Sequence, residues 1–413
     1  MKQNNKSSRY FQFSLLILCS GSLYPLLYLR QNFESTILQA YSLNLVQLGE
    51  LYSLLGFVFL ITYLPSGWLA DRVNPGRLIP LSLVATAALG FWFSTRPPLA
   101  SLRFLFIGWG VFSGLTFWSA LIKAVKLLAE ESEQGRFFGL LEGLRGLVEA
   151  MLATVAVAVF AYLVTEVSKT EANALVYVIY IYSSTCLFLG VLSFFSLRLT
   201  PSGSSKELKD GNLWQDLKTL MSIPEVWLIS LVILTGYQLF WATYSFSAYL
   251  QDYFALSSTS AAFLTVAKLW MRPIGGIASG FLGDRIGREK TLMMTLAGSI
   301  IGLLLLIIVP KETAVNLLLL LVLVIGVLTY ATRGLYWSIL SEEKVPKRVM
   351  GLAIGVISLV GYLPDIYLPW FNGLLSQAFS KESMYRVYFL SIAMTGFLGV
   401  MACFILKNRT QKA

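Results

Sequence analysis

Long apolar stretches separated by short polar ones fill this chain almost from end to end. A membrane-spanning helix needs about 20 apolar residues, and twelve stretches reach or approach that length. We number them predicted helices 1 to 12, at 10–29, 46–70, 77–94, 100–122, 137–164, 173–197, 226–250, 258–282, 291–309, 315–340, 349–375 and 386–406. The pattern therefore predicts an all-α membrane protein.

The widest polar gap lies between predicted helices 6 and 7. It begins with the Pro-, Ser- and Gly-rich stretch 201–205 and then becomes charged, which is typical of a linker. We therefore divide the chain into an N-terminal six-helix half (1–198), a cytoplasmic linker (199–224) and a C-terminal six-helix half (225–413). Apolar residues at helical spacing predict a short helix on the membrane surface within this linker, at Leu213, Trp214, Leu217 and Leu220.

The composition agrees with lipid as the main solvent. Hydrophobic residues make up 56% of the chain and charged residues 13%, whereas soluble proteins contain about 25% charged residues. Histidine, the commonest metal ligand and neutral-pH proton carrier, is absent. No stretch has the form of an ATP-binding loop, and no nucleophile–base pair is evident. We expect no cofactor, no bound metal and no enzymatic activity.

The net charge of +10 is distributed unevenly. Of the 32 Lys and Arg residues, 21 lie outside the helices on the side of the N-terminus and 7 on the opposite side. Positive charge accumulates on the cytoplasmic side of membrane proteins, so we predict that both termini are cytoplasmic. The basic face then meets anionic membrane lipid, and no nucleic-acid partner is required.

Two loops carry the same motif. Predicted helix 2 ends in Gly67-Trp-Leu-Ala-Asp71-Arg72, and predicted helix 8 ends in Gly280-Phe-Leu-Gly-Asp284-Arg285. Their aspartates stand 213 residues apart, about half the chain. Two copies at matching positions indicate two related six-helix halves.

This motif resembles the G-x-x-x-D-R-x-G-R loop signature of the major facilitator superfamily, and the resemblance covers the whole chain. It implies a twelve-helix fold of two pseudo-repeated halves and transport by alternating access. The region from Trp118 to Gly146 is similar to a bacterial branch of this family, which implies the bacterial inner membrane. Predicted helix 1 has no acidic residue within its apolar span, unlike the sugar–proton symporters of the family.

The resemblance also implies a gating role for the two loops. Their glycines would let two helices approach closely, and their charged residues would form a cytoplasmic cluster that opposes opening to the inside. The first copy departs from the pattern, because Asn74-Pro75 lengthens its loop by two residues. The alternative is that both loops only set the topology. The gating residues are Gly67, Asp71, Arg72, Arg77, Gly280, Asp284, Arg285 and Arg288.

Seven charged residues lie deep within predicted helices, where ionisable groups are expensive and usually functional. They are Glu142, Arg145 and Glu149 on helix 5, Lys268 and Arg272 on helix 8, Arg333 on helix 10 and Asp365 on helix 11. The residues on each helix are three or four apart and share one face, and the family resemblance implies that helix 5 faces helix 8, so we expect the stripe on helix 5 to face the basic pair on helix 8. The alternative is that these charges pair only to hold helices together.

Aromatic and amide side chains complete the candidate substrate site. They are Tyr24 and Tyr28 on helix 1 and Tyr237, Gln238, Trp241 and Tyr244 on helix 7. Helix packing or an interfacial aromatic belt is the alternative explanation for each.

The sequence therefore predicts a monomeric secondary transporter for a small-molecule substrate. A polar, anionic organic solute is favoured, because the buried cations outnumber the buried carboxylates by four to three. Proton coupling through Glu142, Glu149 or Asp365 is a further expectation. Efflux of an amphiphile or lipid is the alternative. A non-transporting sensor is disfavoured, because only a short polar tail follows Leu406.

Overall fold

In a computed structural model of the chain, the described residues are 2–129, 134–198, 213–340 and 350–410. These residues form helices, and no β-strand occurs among them. The α-helices of the first two ranges are α1 (Lys2–Leu27), α2 (Arg30–Ala40), α3 (Leu45–Arg72), α4 (Pro75–Ser94), α5 (Leu99–Gly110), α6 (Ser119–Leu128), α7 (Gln134–Thr165) and α8 (Glu171–Ser196). Those of the last two ranges are α9 (Leu213–Met221), α10 (Pro224–Ala242), α11 (Phe246–Phe254), α12 (Ser258–Leu269), α13 (Met271–Ile286), α14 (Arg288–Ile308), α15 (Val315–Leu335), α16 (Met350–Gly361), α17 (Pro364–Ala378) and α18 (Lys381–Thr410).

Ten helical stretches in the described ranges are long and apolar enough to cross a membrane. The two other predicted spans, 258–282 and 349–375, are each divided into shorter helices. The first is interrupted at Trp270, between α12 and α13, and the second between Gly361 and Pro364, where α16 ends and α17 begins. A proline favours the first turn of a helix, because it has no backbone N–H to leave unsatisfied there. All twelve predicted spans are thus accounted for.

The first span is longer than predicted. We predicted its end at residue 29, but α2 continues the span to Ala40 after a break at Tyr28 and Leu29. Pro25 lies three residues before that break, and proline removes a backbone donor and strains the helix around it. Arg30 and Glu34, which mark a loop in the sequence, are buried in α2 as an ion pair. The prediction was wrong because mutual neutralisation lets two charges continue a buried helix.

Two other spans also change their helical geometry midway. A π-helix at Val111–Trp118 joins α5 to α6, and a 3-10 turn at Thr243–Ser245 joins α10 to α11. Such interruptions leave backbone groups outside the regular hydrogen-bond pattern and often mark functional regions of membrane helices.

The helices gather into two compact units. The first contains α1 to α8 together with α12, and the second contains α9 to α11 and α13 to α18. By sequence, α12 belongs to the C-terminal half that we predicted at 225–413, but it packs within the first unit, against α2 and α7. The predicted linker lies outside the described residues from 199 to 212, and its remaining part forms the predicted short helix as α9.

Close packing in the second unit depends on Gly275, where α13 crosses α15. A Cβ atom at this position would lie 2.5 Å from the carbonyl oxygen of Val327 and 3.0 Å from the amide nitrogen of Ala331. Both neighbours are backbone atoms, which cannot rotate away. Any residue larger than glycine would therefore push the two helices apart.

Candidate functional site

A hydrogen-bonded carboxylate lies at the centre of the second unit. Asp365 occupies the first turn of α17, directly after Pro364, where the helix dipole favours a negative charge. Its Oδ1 accepts a hydrogen bond from the Tyr237 hydroxyl at 2.7 Å and another from the indole N–H of Trp241 at 2.5 Å. Three residues predicted for the site, from two helices, therefore meet at one oxygen atom.

Arg333 supplies a cation beside this carboxylate. Its guanidinium carbon lies 4.3 Å from the ring centre of Phe240 and 5.5 Å from that of Tyr237. The charges of Arg333 and Asp365 interact electrostatically. The arginine thus stacks on the aromatic surface of α10 and remains only partly buried, as expected of a cation–π pair at the edge of a site.

The other predicted residues of helix 7 hold this arrangement together. The Gln238 side chain donates to Thr395 and accepts a hydrogen bond from the Tyr367 hydroxyl at 2.7 Å. It therefore links α10 to α17 and α18. Tyr244 packs edge-on against Trp241, with ring centres 4.7 Å apart. Gln238 and Tyr244 are both buried, so their described contacts hold Trp241 and the neighbouring helices in position.

A second arginine cluster lies in the first unit. Arg145 of α7 donates a hydrogen bond from Nη2 to Glu142 Oε1 at 3.1 Å, one turn earlier on the same helix. Its guanidinium carbon also lies 5.5 Å from the ring centre of Trp118 and 5.9 Å from that of Tyr24. The Arg145 side chain is 8% exposed and that of Glu142 is 45% exposed. This carboxylate is therefore partly exposed, while the arginine is buried beside the two rings.

The tyrosines of helix 1 extend this cluster. The rings of Tyr24 and Tyr28 stack at 6.5 Å, and Tyr28 in turn stacks at 6.2 Å on Tyr52 of α3. Both predicted tyrosines are partly exposed. They form an aromatic row along helix 1 that starts at Arg145.

The predicted contact between helices 5 and 8 involves Glu149 and Lys268. Lys268 lies in the last turn of α12, where the helix dipole favours a cation, and it is fully buried. It interacts electrostatically with Glu149 of α7, and α12 packs on α7 within the first unit. Glu149 also interacts with Tyr182 of α8.

Arg272 lies on the next helix after Lys268. The break at Trp270 places Arg272 in the first turn of α13, in the second unit. Its guanidinium carbon lies 5.9 Å from the ring centre of Tyr330 on α15. That Lys268 and Arg272 together face helix 5 stays a prediction, and the interruption between α12 and α13 lies between them.

The gating loops are described in part. The side chains of Gly67, Asp71, Arg72 and Asp284 lie outside the described residues. Arg77 and Arg285 are exposed, and Arg288 donates a hydrogen bond to the carbonyl oxygen of Ser338 at 2.9 Å. Among described atoms, none lies within 4 Å of a Cβ built on Gly280. The close approach that the resemblance implies for Gly280 stays a prediction, and a close approach among described atoms occurs at Gly275.

The glycine of the second loop that the backbone itself requires is Gly287. It has φ +97° and lies directly before α14. A side chain is strained in this left-handed region, which explains the glycine between Arg285 and Arg288. The first loop makes its turn differently: Asn74 accepts a hydrogen bond from the backbone N–H of Gly76 at 2.8 Å and caps α4.

One buried charged group escaped the sequence analysis. Arg30 and Glu34 of α2 form an ion pair with exposures of 1% and 0%, and the Arg30 guanidinium carbon lies 5.0 Å from the ring centre of Tyr52. We predicted that helix 1 has no acidic residue within its apolar span. That prediction was wrong, because the span continues through α2 and α2 contains Glu34. The spacing of four between opposite charges, followed by apolar residues, was the available signal.

Comparisons with known proteins agree with this architecture. A model of the Major Facilitator Superfamily matches residues 10–369, with a further match at 250–413. The inner membrane protein YqcE of Escherichia coli (strain K12) is 26% identical over 420 aligned residues, which cover 100% of this chain and 97% of that protein. The inner membrane protein YihN of the same organism is 27% identical over 399 residues, which cover 95% of this chain and 91% of that protein.

Solved structures share the fold at low sequence identity. A bacterial homologue of the human lysosomal transporter Spinster, in an inward-facing and unoccupied conformation, superposes with a TM-score of 0.73 at 14% identity and covers 98% of both chains. A variant of the nucleoside transporter NupG superposes with a TM-score of 0.74 at 14% identity and covers 96% of this chain and 99% of that chain. These matches confirm the predicted twelve-helix fold of two halves. The chain belongs to the major facilitator superfamily of membrane transport proteins.

Proposed function

We propose that this protein is a secondary active transporter that moves a small polar organic solute by alternating access. Its place is the bacterial inner membrane, as for the inner membrane proteins that it resembles, with both termini in the cytoplasm. An anionic solute fits best. The observation that carries the proposal is the group formed by Asp365, Tyr237, Trp241 and Arg333 in the second unit.

This group offers what a polar solute needs inside a membrane. Arg333 presents a delocalised cation whose several N–H donors match a carboxylate or phosphate. The rings of Tyr237 and Phe240 beneath it provide an apolar surface for the carbon skeleton of the solute. Asp365 can accept a hydrogen bond from a solute hydroxyl, and its two present donors fix its orientation.

A purely structural role is the competing explanation. A buried carboxylate with two donors and a nearby arginine also stabilises a helix bundle. The partial exposure of Arg333 favours the binding role, because a cation needed only for packing would gain from complete burial against its carboxylate. The two explanations differ in what substitution does to binding.

The test begins with a ligand screen. Purified protein is screened for solutes that raise its melting temperature, and the hits are tested for uptake into proteoliposomes. Nucleosides, amphiphiles and lipids belong in the screen, since NupG is a nucleoside transporter and efflux of an amphiphile is the alternative function. We expect a polar, anionic hit to be transported.

Two variants then decide the role of the group. Asp365→Asn should abolish the uptake of that solute while the protein still folds. Asp252→Asn is the matched control, because Asp252 pairs with Lys381 at 3.0 Å in an ion pair whose lysine is 79% exposed. Normal uptake by the Asp365→Asn variant would reject the proposed site. Hits that are exclusively amphiphiles or lipids would reject the proposed solute class.

A further inference from the structure

The buried ion pair Arg30–Glu34 lies where helix 1 is interrupted. α1 ends at Leu27, α2 begins at Arg30, and Phe33 has the non-helical angles φ −133° and ψ 29°. Discontinuous helices in transporters place polar groups at membrane depth. Gln31 and Asn32 are also buried at this point, with exposures of 4% and 7%.

A row of aromatic side chains connects the pair to more exposed residues of the first unit. Arg30 stacks on Tyr52 and donates its backbone N–H to the Tyr52 hydroxyl at 3.4 Å. Tyr52 stacks on Tyr28, which is partly exposed and continues the row to Tyr24 and Arg145. The buried cation Arg30 and the partly exposed pair of Arg145 and Glu142 therefore lie at the two ends of one aromatic row.

We propose that the Arg30–Glu34 pair is a binding site for a carboxylate and a proton together. The carboxylate of a ligand takes the place of Glu34 at the Arg30 guanidinium, and Glu34 takes up one proton. Two carboxylates beside one cation would leave an excess negative charge in a low-dielectric interior, and protonation of Glu34 removes it. The buried charge is the same before and after this exchange. The inference names a coupling site for the proposed transporter and rests on that function.

Other charged and titratable groups face this region from the elements that pack on α2. Tyr52 of α3 interacts electrostatically with both Arg30 and Glu34. On α8, Glu171 accepts a hydrogen bond from Thr36 at 3.1 Å, and Tyr182 lies further along that helix. α12 adds Lys268. Glu34 is the carboxylate that directly contacts a buried arginine here, which is why the exchange is assigned to it.

Acetate is a suitable probe, because it is a small carboxylate that remains ionised between about pH 6 and about pH 8. The purified full-length protein is placed in weakly buffered detergent solution with a pH indicator, and sodium acetate adjusted to the same pH is added. Acetate binding is followed in parallel by calorimetry. We expect the wild-type protein to take up about one proton for each acetate bound.

The Glu34→Gln variant should bind acetate at least as tightly but without proton uptake, because its amide cannot be protonated in this range. Glu382→Gln is the matched control. Glu382 pairs with Lys311 at 2.7 Å and with Arg386 at 3.7 Å. The exposed fractions of the three side chains are 41% for Glu382, 50% for Lys311 and 45% for Arg386. This variant should keep the acetate-linked proton uptake of the wild type. Uptake that persists in Glu34→Gln would overturn the proposal, as would the absence of acetate binding by the wild type.

If Glu34→Gln does not fold, Arg30→Gln/Glu34→Gln removes both charges and leaves no buried ion. This double variant should lose both acetate binding and proton uptake, and retention of either would overturn the proposal. The measurement needs no transported solute. Failure of the proposed transport role of Asp365 is therefore distinguishable from failure of this site.

Discussion

Tyr24 and Tyr237 occupy equivalent positions in the two halves, and an arginine lies over each ring. They are 213 residues apart, the same separation as Asp71 and Asp284. The Arg145 guanidinium carbon lies 5.9 Å from the centre of one ring, and that of Arg333 lies 5.5 Å from the centre of the other. The arginines come from non-equivalent helices, α7 and α15. The repeat therefore retains the ring, while each half supplies its own cation.

The two roles of Tyr237 can be separated by substitution. Tyr237→Phe keeps the ring beneath Arg333 and removes one donor to Asp365, a loss of about 1.5–3 kcal/mol for a bond to a charged group. Tyr237→Leu also removes the cation–π contact, worth about 0.5–2 kcal/mol. We expect the solute found by screening to bind more weakly to the first variant and weaker still to the second. Calorimetric titration measures both, and unchanged affinity in Tyr237→Phe would contradict the role of this hydroxyl.

The contact between Glu149 and Lys268 predicts strongly coupled substitutions. Lys268 is fully buried and Glu149 only partly, so loss of Glu149 would leave a buried charge uncompensated, which costs about 3–5 kcal/mol. Glu149→Gln should therefore be severely destabilising alone and largely rescued by Lys268→Met. A double-mutant cycle on the free energy of unfolding measures this coupling.

The exposed pair Lys311–Glu382 provides the control for this cycle, since its effects should be additive. Effects for Glu149 and Lys268 that add within about 0.5 kcal/mol would show that these residues do not interact. Transport should not return in the double variant, because it lacks both charged groups.

Gly275 and Gly276 are neighbours, and we expect substitution by alanine to lower stability at the first and not at the second. Gly275→Ala forces a Cβ against the backbone of α15, and such overpacking costs about 1–3 kcal/mol. Gly276→Ala places its Cβ where no described atom lies within 4 Å, so it should be tolerated. Melting temperatures of the two purified variants test the difference. Equal melting temperatures would mean that α13 and α15 do not approach as closely as described.

Asp284 carries the gating prediction that the family signature implies. Asp284→Asn should slow the transport cycle more than it lowers stability, because a gate is made and broken in each cycle. Uptake rate and melting temperature are measured on the same preparation. Wild-type uptake by this variant would leave the loop with a topological role only.

The predicted orientation can be tested at two lysines. Lys412→Cys should be protected from a membrane-impermeant maleimide in intact cells, whereas Lys311→Cys, between α14 and α15, should react. The three native cysteines are buried and give little background. Labelling of Lys412→Cys from outside would reverse the assigned topology.

The sequence predicted the helices well because continuous apolar stretches and the lipid thickness determine them. The prediction of helix ends failed where an ion pair, and not apolar side chains, continues a buried helix. Arg30 and Glu34 interrupt the apolar pattern and marked a loop in the sequence, although together they continue a buried helix. Whether two charges end a helix or continue it depends on whether they pair in three dimensions. Their spacing along the chain only suggests such a pair.

The candidate site shows the same limit. The residues that meet at Asp365 were all predicted, because aromatic and ionisable groups within a span are conspicuous. Their individual tasks were not predictable. Gln238 looked like a substrate ligand, but its described hydrogen bonds go to Tyr367, Thr395 and the carbonyl oxygen of Ile392. The interruption of predicted helix 8 at Trp270 had a signal in the sequence, because Pro273 cannot donate a hydrogen bond to the carbonyl oxygen of Leu269.

The membership of α12 in the first unit has a mechanical meaning. The chain passes from the first unit to the second in the linker, returns after Ala255, and leaves again after Trp270. The two units are therefore tied by three covalent tethers. A protease cut in the linker would leave two polypeptides, and the packing of α12 against α2 and α7 would still hold one to the other without a covalent bond. A change in the relation between the two units would therefore have to be accommodated at three points of the backbone: the linker, the step after Ala255 and the step after Trp270.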